Sequence, residues 1–373
     1  MSMDNTIRLK DACKILNGFA FKSSKYVDSG IRIIRIANVQ KGYVEDEKPA
    51  FYPDSEEPLI RDYMLEENDL LLSLTGNVGR VALLDKKWLP AALNQRVACL
   101  RIKDDRIIKD YLYFALLSDK FENDCIKSSK GIAQKNMSTE WLKDYEIPLP
   151  SEQRQREIVS SLKHLSAIIK NKTEQVRQLD NLIKARFVEM FGDKNFEARP
   201  FKDVCDELFA GGDVKKDRTV KEADSDHPYA VFTNGEKDGG LYGYTDIARV
   251  IKPSITISGR GTIGFCLVRT EPFYPAIRLI VATPKENLVT PSYLKYFIDS
   301  KDYNGRGASI PQLTIPMIKD EPVPIPPIEL QNQFETFIAQ INKSKFALSN
   351  ELTMGNFYVR LIHDRVMHGR IDL

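Results

Sequence analysis

The sequence predicts an α+β chain: two similar globular domains and two long helices that pair as an antiparallel coiled coil, the whole forming a pseudo-two-fold internal repeat. Three observations predict it. The chain repeats itself in order at a long period, each copy ends in a proline-rich stop, and each stop is followed by a helical apolar stripe of nearly forty residues.

The repeat shows first in its turns. LSLTGNVG (72–79) and ISGRGTIG (257–264) pair Gly76 with Gly261 and Gly79 with Gly264 at one constant offset. Pro90-Ala91 is matched with Pro275-Ala276, Tyr111-Leu112 with Tyr293-Leu294, and Lys143-Asp144 with Lys319-Asp320. Because the order is kept throughout, chance is a poor explanation.

Prolines close each copy, at Pro148 and Pro150 and again at Pro322, Pro324, Pro326 and Pro327. Proline restricts the residue before it and ends preceding structure, so these are boundary marks. A glutamine-rich start and a heptad stripe follow each. The first stripe runs Ile158, Leu162, Leu165, Ile169, Val176, Leu179, Ile183 and Met190, with Lys172 and Arg186 as polar interruptions. The second runs Phe334, Ile338, Ile341, Leu348, Leu352, Val359, Ile362 and Val366, with Gly355 on it as either a close approach or a tolerated glycine. Neither helix can bury its stripe alone, and a domain lies between them, so the second can return alongside the first in the opposite sense. The expected domains are 1–151, a spacer helix 152–192, 193–328, and a second spacer helix 329–373. The globules should be β-rich at 31–39, 69–75, 97–102, 254–258 and 278–283, with short helices near 110–118 and 292–300.

Composition narrows function less than order does. Of 373 residues 42% are hydrophobic, enough for two packed cores without a staple. Lys+Arg number 54 against Asp+Glu 52, so the net charge of +2 does not call for a polyanionic partner; a local basic face stays open. Five cysteines without CxxC spacing and four histidines build no zinc pattern, and the thiols are expected reduced, in mixed core and surface positions. No apolar run reaches a membrane span and no signal peptide opens the chain, which makes the cytoplasm the expected location.

Motifs that suggest chemistry fail on context. Gly259-Arg-Gly261-Thr-Ile-Gly264 spells GxGxxG after a strand, but β-prone FCLVRTEPFYP follows where a dinucleotide site needs a helix, so the glycines are read as a tight turn. Pro53-Asp54 and Asp85-Lys86-Lys87 resemble metal-binding nuclease elements, yet such strings are common in charged loops. His164, His227, His363 and His368 stand without a nucleophile at suggestive spacing. No catalytic or metal residues are assigned, and enzymatic chemistry finds no seat in the chain.

The chain resembles the specificity subunits of type I restriction-modification enzymes. The resemblance rests on Gly18-Phe-Ala-Phe-Lys-Ser-Ser-Lys-Tyr26, Ile34-Arg35-Ile-Ala-Asn38-Val, Asp69-Leu-Leu, the Gly76-Asn77-Val-Gly79 turn, Asn94-Gln95, and Pro148-Leu-Pro150-Ser-Glu152-Gln153. The second half lacks the opening motif and has TNGEKDGGLYGYT (233–245) in its place. The resemblance implies that each globule recognises half of a split target in double-stranded DNA and that the coiled coil sets the gap. It also implies partners: two methylation subunits, which would bind S-adenosylmethionine, and restriction subunits beyond them; this chain itself needs no cofactor. Polar side chains and Arg/Lys in glycine-bearing loops suit base edges and phosphates. The DNA-binding candidates are Ser24, Lys25, Arg35, Asn38, Thr75, Asn77, Arg80, Asn94, Gln95, Gln134 and Asn136 in the first globule. Those in the second are Thr233, Asn234, Lys237, Arg260, Thr262, Arg278, Arg306 and Gln312. Two other readings stay open: a coiled-coil scaffold joining two ligand-binding domains, and a nuclease-bearing relative using Asp54 and Asp85.

Overall fold

The computed structural model describes residues 6–129, 136–192, 194–214, 216–303 and 312–368; the candidates Gln134 and Arg306 lie outside them. The chain divides into two units, Met1–Thr173 with Asn350–Leu373, and Glu174–Ser349. Each of the two long helices, Glu152–Phe191 and Ile328–Met367, gives part of its length to each unit.

In the first unit Leu70–Ser73 lies between Val97–Ile102 and Val81–Leu83 in a four-stranded antiparallel sheet whose other edge is Cys13–Asn17. These strands are continuous apolar runs because both faces are covered: Leu70 and Leu72 face one core cluster and Leu71 the other. Beside it Ile31–Ile34 pairs antiparallel with Phe51–Tyr52 and parallel with Ala91–Leu93. The helix Lys109–Leu116 follows, and Thr6–Arg8 pairs with Glu146–Pro148 to close the unit.

The second unit repeats this order. Cys205–Ala210, Ile280–Pro284, Ser254–Ile257 and Cys266–Arg269 form the antiparallel sheet. Tyr229–Phe232 pairs antiparallel with Leu241–Thr245 and parallel with Phe273–Pro275. Pro291–Asp299 is the helix, and Ala198–Pro200 pairs with Pro322–Pro324.

The sequence repeat needs one correction of register. Asn94 and Ala276 occupy the same place, since each donates its N–H to the last residue of the parallel neighbour, Ile34 at 3.1 Å and Phe232 at 2.8 Å. Leu93 therefore corresponds to Pro275, and the match of Pro90-Ala91 with Pro275-Ala276 is three residues out of step. The short Pro-Ala identity outweighed a strand pairing that sequence does not display.

The long helices pack as expected within each unit. In the first, Ile158 and Leu162 bury against Ile362 and Val366, with Leu165 and Val359 half-buried beside them. Further along, Lys172 Nζ meets Glu351 at 2.6 Å, so the segments run antiparallel and the polar interruption has an acid facing it. A Cβ on Gly355 would sit 3.1 Å from Ile169 Cγ1, which makes this glycine a point of close approach. In the second unit Ile183 and Met190 join Phe334 and Ile338, with Ile341 beside them, and Lys345 pairs with Asp180. The stripe also contains Phe187, which is buried against Phe334 at a ring distance of 5.6 Å, while Arg186 lies over the Phe337 ring. Val176, Leu179, Leu348 and Leu352, in the middle stretches of the helices, are half-buried.

A buried glutamine fixes the start of each helix. Gln155 accepts from Ile108 N–H at 2.8 Å and donates to the Arg106 and Pro150 carbonyls; Gln331 accepts from Thr290 N–H at 2.8 Å and donates to those of Leu288 and Pro326. Both are fully buried. Tyr111 and Tyr293 add matching hydroxyl bonds to the Pro148 and Pro324 carbonyls. All five cysteines are buried rather than divided between core and surface, and burial pushes the Cys13 and Cys205 thiols up to about 12. His363 is buried beside Phe114, and burial pushes it down to about 4.

Gln155→Ala is expected to cost the first unit about 2–3 kcal/mol, because it orphans a buried donor and two buried carbonyls; Gln331→Ala should cost the second the same. Denaturant unfolding checks this, and a loss below about 0.5 kcal/mol would contradict the clamp. The second expectation concerns pH. His363 is neutral in the folded chain and protonates near its ordinary 6.5 when unfolded. The unfolded state thus binds the extra proton between pH 6.5 and 4, so this stabilisation is present above pH 6.5 and lost as pH falls toward 4. Replacing His363 with Gln should flatten that part of the stability profile by up to about 3 kcal/mol, measured as the wild-type minus variant difference.

Candidate nucleic-acid interface

The candidate loops converge on one rim in each unit, because the strands that carry them end or begin at the same edge. In the first unit the rim is built by the residues after Cys13–Asn17, after Ile31–Ile34 and after Leu70–Ser73, and by those before Val97–Ile102. Main-chain bonds knit them: Phe19 N–H to Leu93 O, Gln95 N–H to Phe19 O, Leu74 N–H to Arg96 O, and Met137 N–H to Leu74 O, at 2.8–3.0 Å.

The second rim uses the same knit with one exchange, Gly259 N–H going to the Asn234 side chain where Leu74 N–H goes to Arg96 O. Gly211 and Gly212 stand where Gly18 and Phe19 do: Ile277 N–H reaches Gly212 O at 2.7 Å, and Gly212 and Phe19 bridge Ala276 and Asn94 in parallel. A Cβ on Gly211 would lie 2.6 Å from Pro275 O, and one on Gly18 2.5 Å from Leu93 O, so only glycine lets the chain pass. This corrects the sequence reading, in which 233–245 stood in for the opening. Thr233 and Asn234 follow Tyr229–Phe232 and so correspond to Arg35 and Ile36. The opening was missed because a bulge between Cys205 and Glu207 adds a residue and glycine replaces phenylalanine.

The glycine turns are hairpin tips, as read. Ser73 and Ser258 donate N–H to Arg80 and Phe265 O, and Gly79 and Gly264 return N–H to Ser73 and Ser258 O. The strand after Gly264 is Cys266–Arg269, so no helix terminus faces the loop. Asp85 caps the short turn Lys86–Trp88 through Lys87 N–H, Asp54 opens another at Asp54–Glu56, and no metal-binding cluster occurs among the described residues.

The candidates divide by what their side chains do. Asn38 is only 3% exposed and its side chain is engaged within the chain: its Oδ1 accepts from Arg35 N–H and its Nδ2 donates to Glu45 O and Asp46. Asn234 is likewise a pin, accepting from Gly259 N–H at 2.7 Å and donating to Ile277 O. Arg35 donates to Lys48 O, Arg80 to Gln40, and Lys25 to Glu56 at 2.8 Å. Thr233 bonds weakly within its own loop. Thr75, itself buried, donates to exposed Asn136 at 2.8 Å; Arg260 donates to Gln312 at 3.3 Å. Ser24, Asn77, Gln95, Lys237, Thr262 and Arg278 are exposed, and Asn94 is half-exposed.

Structure adds a residue that the sequence did not single out. Arg96 is exposed and occupies the place of Arg278, both being two residues beyond the shared Asn94/Ala276 position. Ile277 and Arg278 have φ of 45° and 60°, a left-handed conformation that is costly for a β-branched residue, and Ile277 is 46% exposed.

Fold and rims together define a class: a duplicated α+β chain in which each copy presents a polar loop rim and shares two long helices with the other. The chain belongs to the type I restriction modification DNA specificity domain family, whose model matches residues 3–179 and 193–354. It is 28% identical over 182 residues to the MjaVIII specificity subunit of Methanocaldococcus jannaschii, covering 48% of this chain and 43% of that one. The MjaX specificity subunit of the same organism is 24% identical over 404 residues, 94% of this chain and 93% of that one. The EcoBI specificity subunit of Escherichia coli is 27% identical over 180 residues, 35% of its length, so several of these matches span less than half of the relative. Among solved structures, the S subunit of a type I restriction-modification system from M. genitalium superposes at TM-score 0.54 and 14% identity, covering 97% of this chain and 96% of that one. A chain from a study of assembly and conformational transition of the type I R-M system gives 0.58 at 14% identity, with 97% coverage of both. These likenesses give the fold.

Asn234→Ala is expected to loosen the second rim by about 1–2 kcal/mol, since two backbone groups lose their partner. Amide exchange at Gly259 should quicken while the helix Pro291–Asp299 is unchanged; equal rates at Gly259 would contradict the pin.

Proposed function

We propose that this chain is the DNA-recognising specificity subunit of a type I restriction-modification complex, each unit recognising one half of a split target in double-stranded DNA. The observation that carries the reading is the pair of matching rims: one main-chain knit, displaying different polar and cationic side chains in the two copies. A shared scaffold with differing side chains is what two half-sites of different sequence require. Ser24, Asn77, Asn94, Gln95, Asn136, Lys237, Arg260, Thr262, Arg278 and Gln312 are the proposed contacts, with Arg96 added. Gln134 and Arg306 are retained on the sequence reading alone.

The long helices are proposed to fix the gap between half-sites and to receive two methylation subunits, with restriction subunits beyond. S-adenosylmethionine belongs to the methylation partners, so this chain supplies recognition and no chemistry, acting in the cytoplasm. Relatives named as restriction-enzyme specificity subunits support this reading, and so does an apolar stripe continued through both helices.

The test is methylome sequencing of cells carrying the chain with its partner genes. A split motif with a constant gap is expected. Lengthening both helices by about one turn should lengthen the gap and leave the half-sites unchanged. An unsplit motif, or a gap indifferent to the insertion, overturns the proposal.

A further inference from the structure

One place on the rim is built alike in both units and filled differently. The residue after the knit between hairpin tip and returning chain, Thr75 after Leu74 and Arg260 after Gly259, is hydrogen-bonded to the residue preceding Met137 or Leu313 on the other segment. In the first unit this cross-link is Thr75 to Asn136; in the second it is Arg260 to Gln312. The backbone beneath is the same, with Met137 N–H to Leu74 O at 2.9 Å and Leu313 N–H to Gly259 O at 2.8 Å. A main-chain brace that holds whichever side chains are present is the arrangement a variable contact needs.

The second unit's pair stands over a cleft of about 260 Å³ lined by Arg260, Arg278 and Gln312 with Ala210, Ile280 and Leu313. Neither arginine forms an ion pair among the described residues, and both are exposed. They differ in how they are held. Arg260 is tethered through Nη2 to Gln312 Oε1, which directs the guanidinium and leaves the rest of its donor fork available. Arg278 has no such tether among the described residues. A directed planar fork suits the paired O6 and N7 acceptors of guanine in the major groove, whereas an untethered guanidinium suits a phosphate.

Resting on the recognition role proposed above, we infer that this cross-linked pair is a base-reading position, and that Arg260, positioned by Gln312, reads a guanine in the second unit's half-site. The first unit's Thr75–Asn136 pair has no guanidinium, so the corresponding base there is selected by different groups.

The experiment selects bound sequences from randomised duplex DNA with the full chain, then compares Arg260→Ala and Gln312→Ala, and titrates salt for each. The expected result is a guanine in the enriched motif whose preference over other bases falls about ten-fold in Arg260→Ala, with the remaining positions kept. Gln312→Ala should weaken the same preference by less. Uniform weakening at all sequences, with the slope of log K against log salt reduced by about one, would assign Arg260 to a phosphate and overturn the inference. An unchanged motif in Arg260→Ala overturns it as well, while recognition by the chain stands. Should the unsubstituted chain enrich no motif, the recognition role itself falls and takes this inference with it.

Discussion

The fold hangs on one side-chain amide at the start of each long helix. Gln155 and Gln331 each bind a backbone N–H and two carbonyls that the preceding proline-rich turn and the domain helix leave without partners. Prolines at these corners remove donors and fix the backbone direction, so the carbonyls they expose must be met by something else. A glutamine meets three groups with one planar head, and the tyrosine hydroxyls on the prolines at 148 and 324 complete the corner. With the helix start immobilised, the stripe that begins at Ile158 or Phe334 is aimed along its partner helix rather than into solvent.

Along the stripe, burial falls where the globule ends. Ile158 and Ile183 are almost fully buried, while Val176 and Leu179 are only half-covered. Without a globule as a third wall the two helices cover their seam only partly, so the lysines at 172 and 345 are tolerated there with Glu351 and Asp180 as partners. Such partly exposed pairs add little stability, on the order of 0.5 kcal/mol each, but they disfavour other registers.

Periodicity and repetition made the architecture legible: the stripes, the hairpin glycines and the proline stops all stand where the sequence set them. What was not legible depended on pairing between distant strands. The register at Leu93 and Pro275, the Gly211-Gly212 counterpart of the opening motif, and the buried pins Asn38 and Asn234 are each decided by a neighbour far along the chain. An asparagine in a polar loop reads the same whether it faces water or closes the loop from within. Phe187 was passed over because Arg186 beside it carries the charge that marks an interruption, and only the packed partner Phe334 shows which of the two faces inward.

The rim's hydrogen bonds run from main chain to main chain at Phe19, Gln95, Leu74 and Met137, and again at Gly212, Ile277, Gly259 and Leu313. Main-chain bonds are indifferent to the side chain they carry, so at the exposed position Gln95 a substitution leaves the knit in place, whereas Leu74, Met137 and Leu313 are held by the core and Gly259 by the lack of room for a Cβ. Change can therefore accumulate on the displayed surface without eroding the core. A lineage built this way can change its preferences faster than it can change its shape.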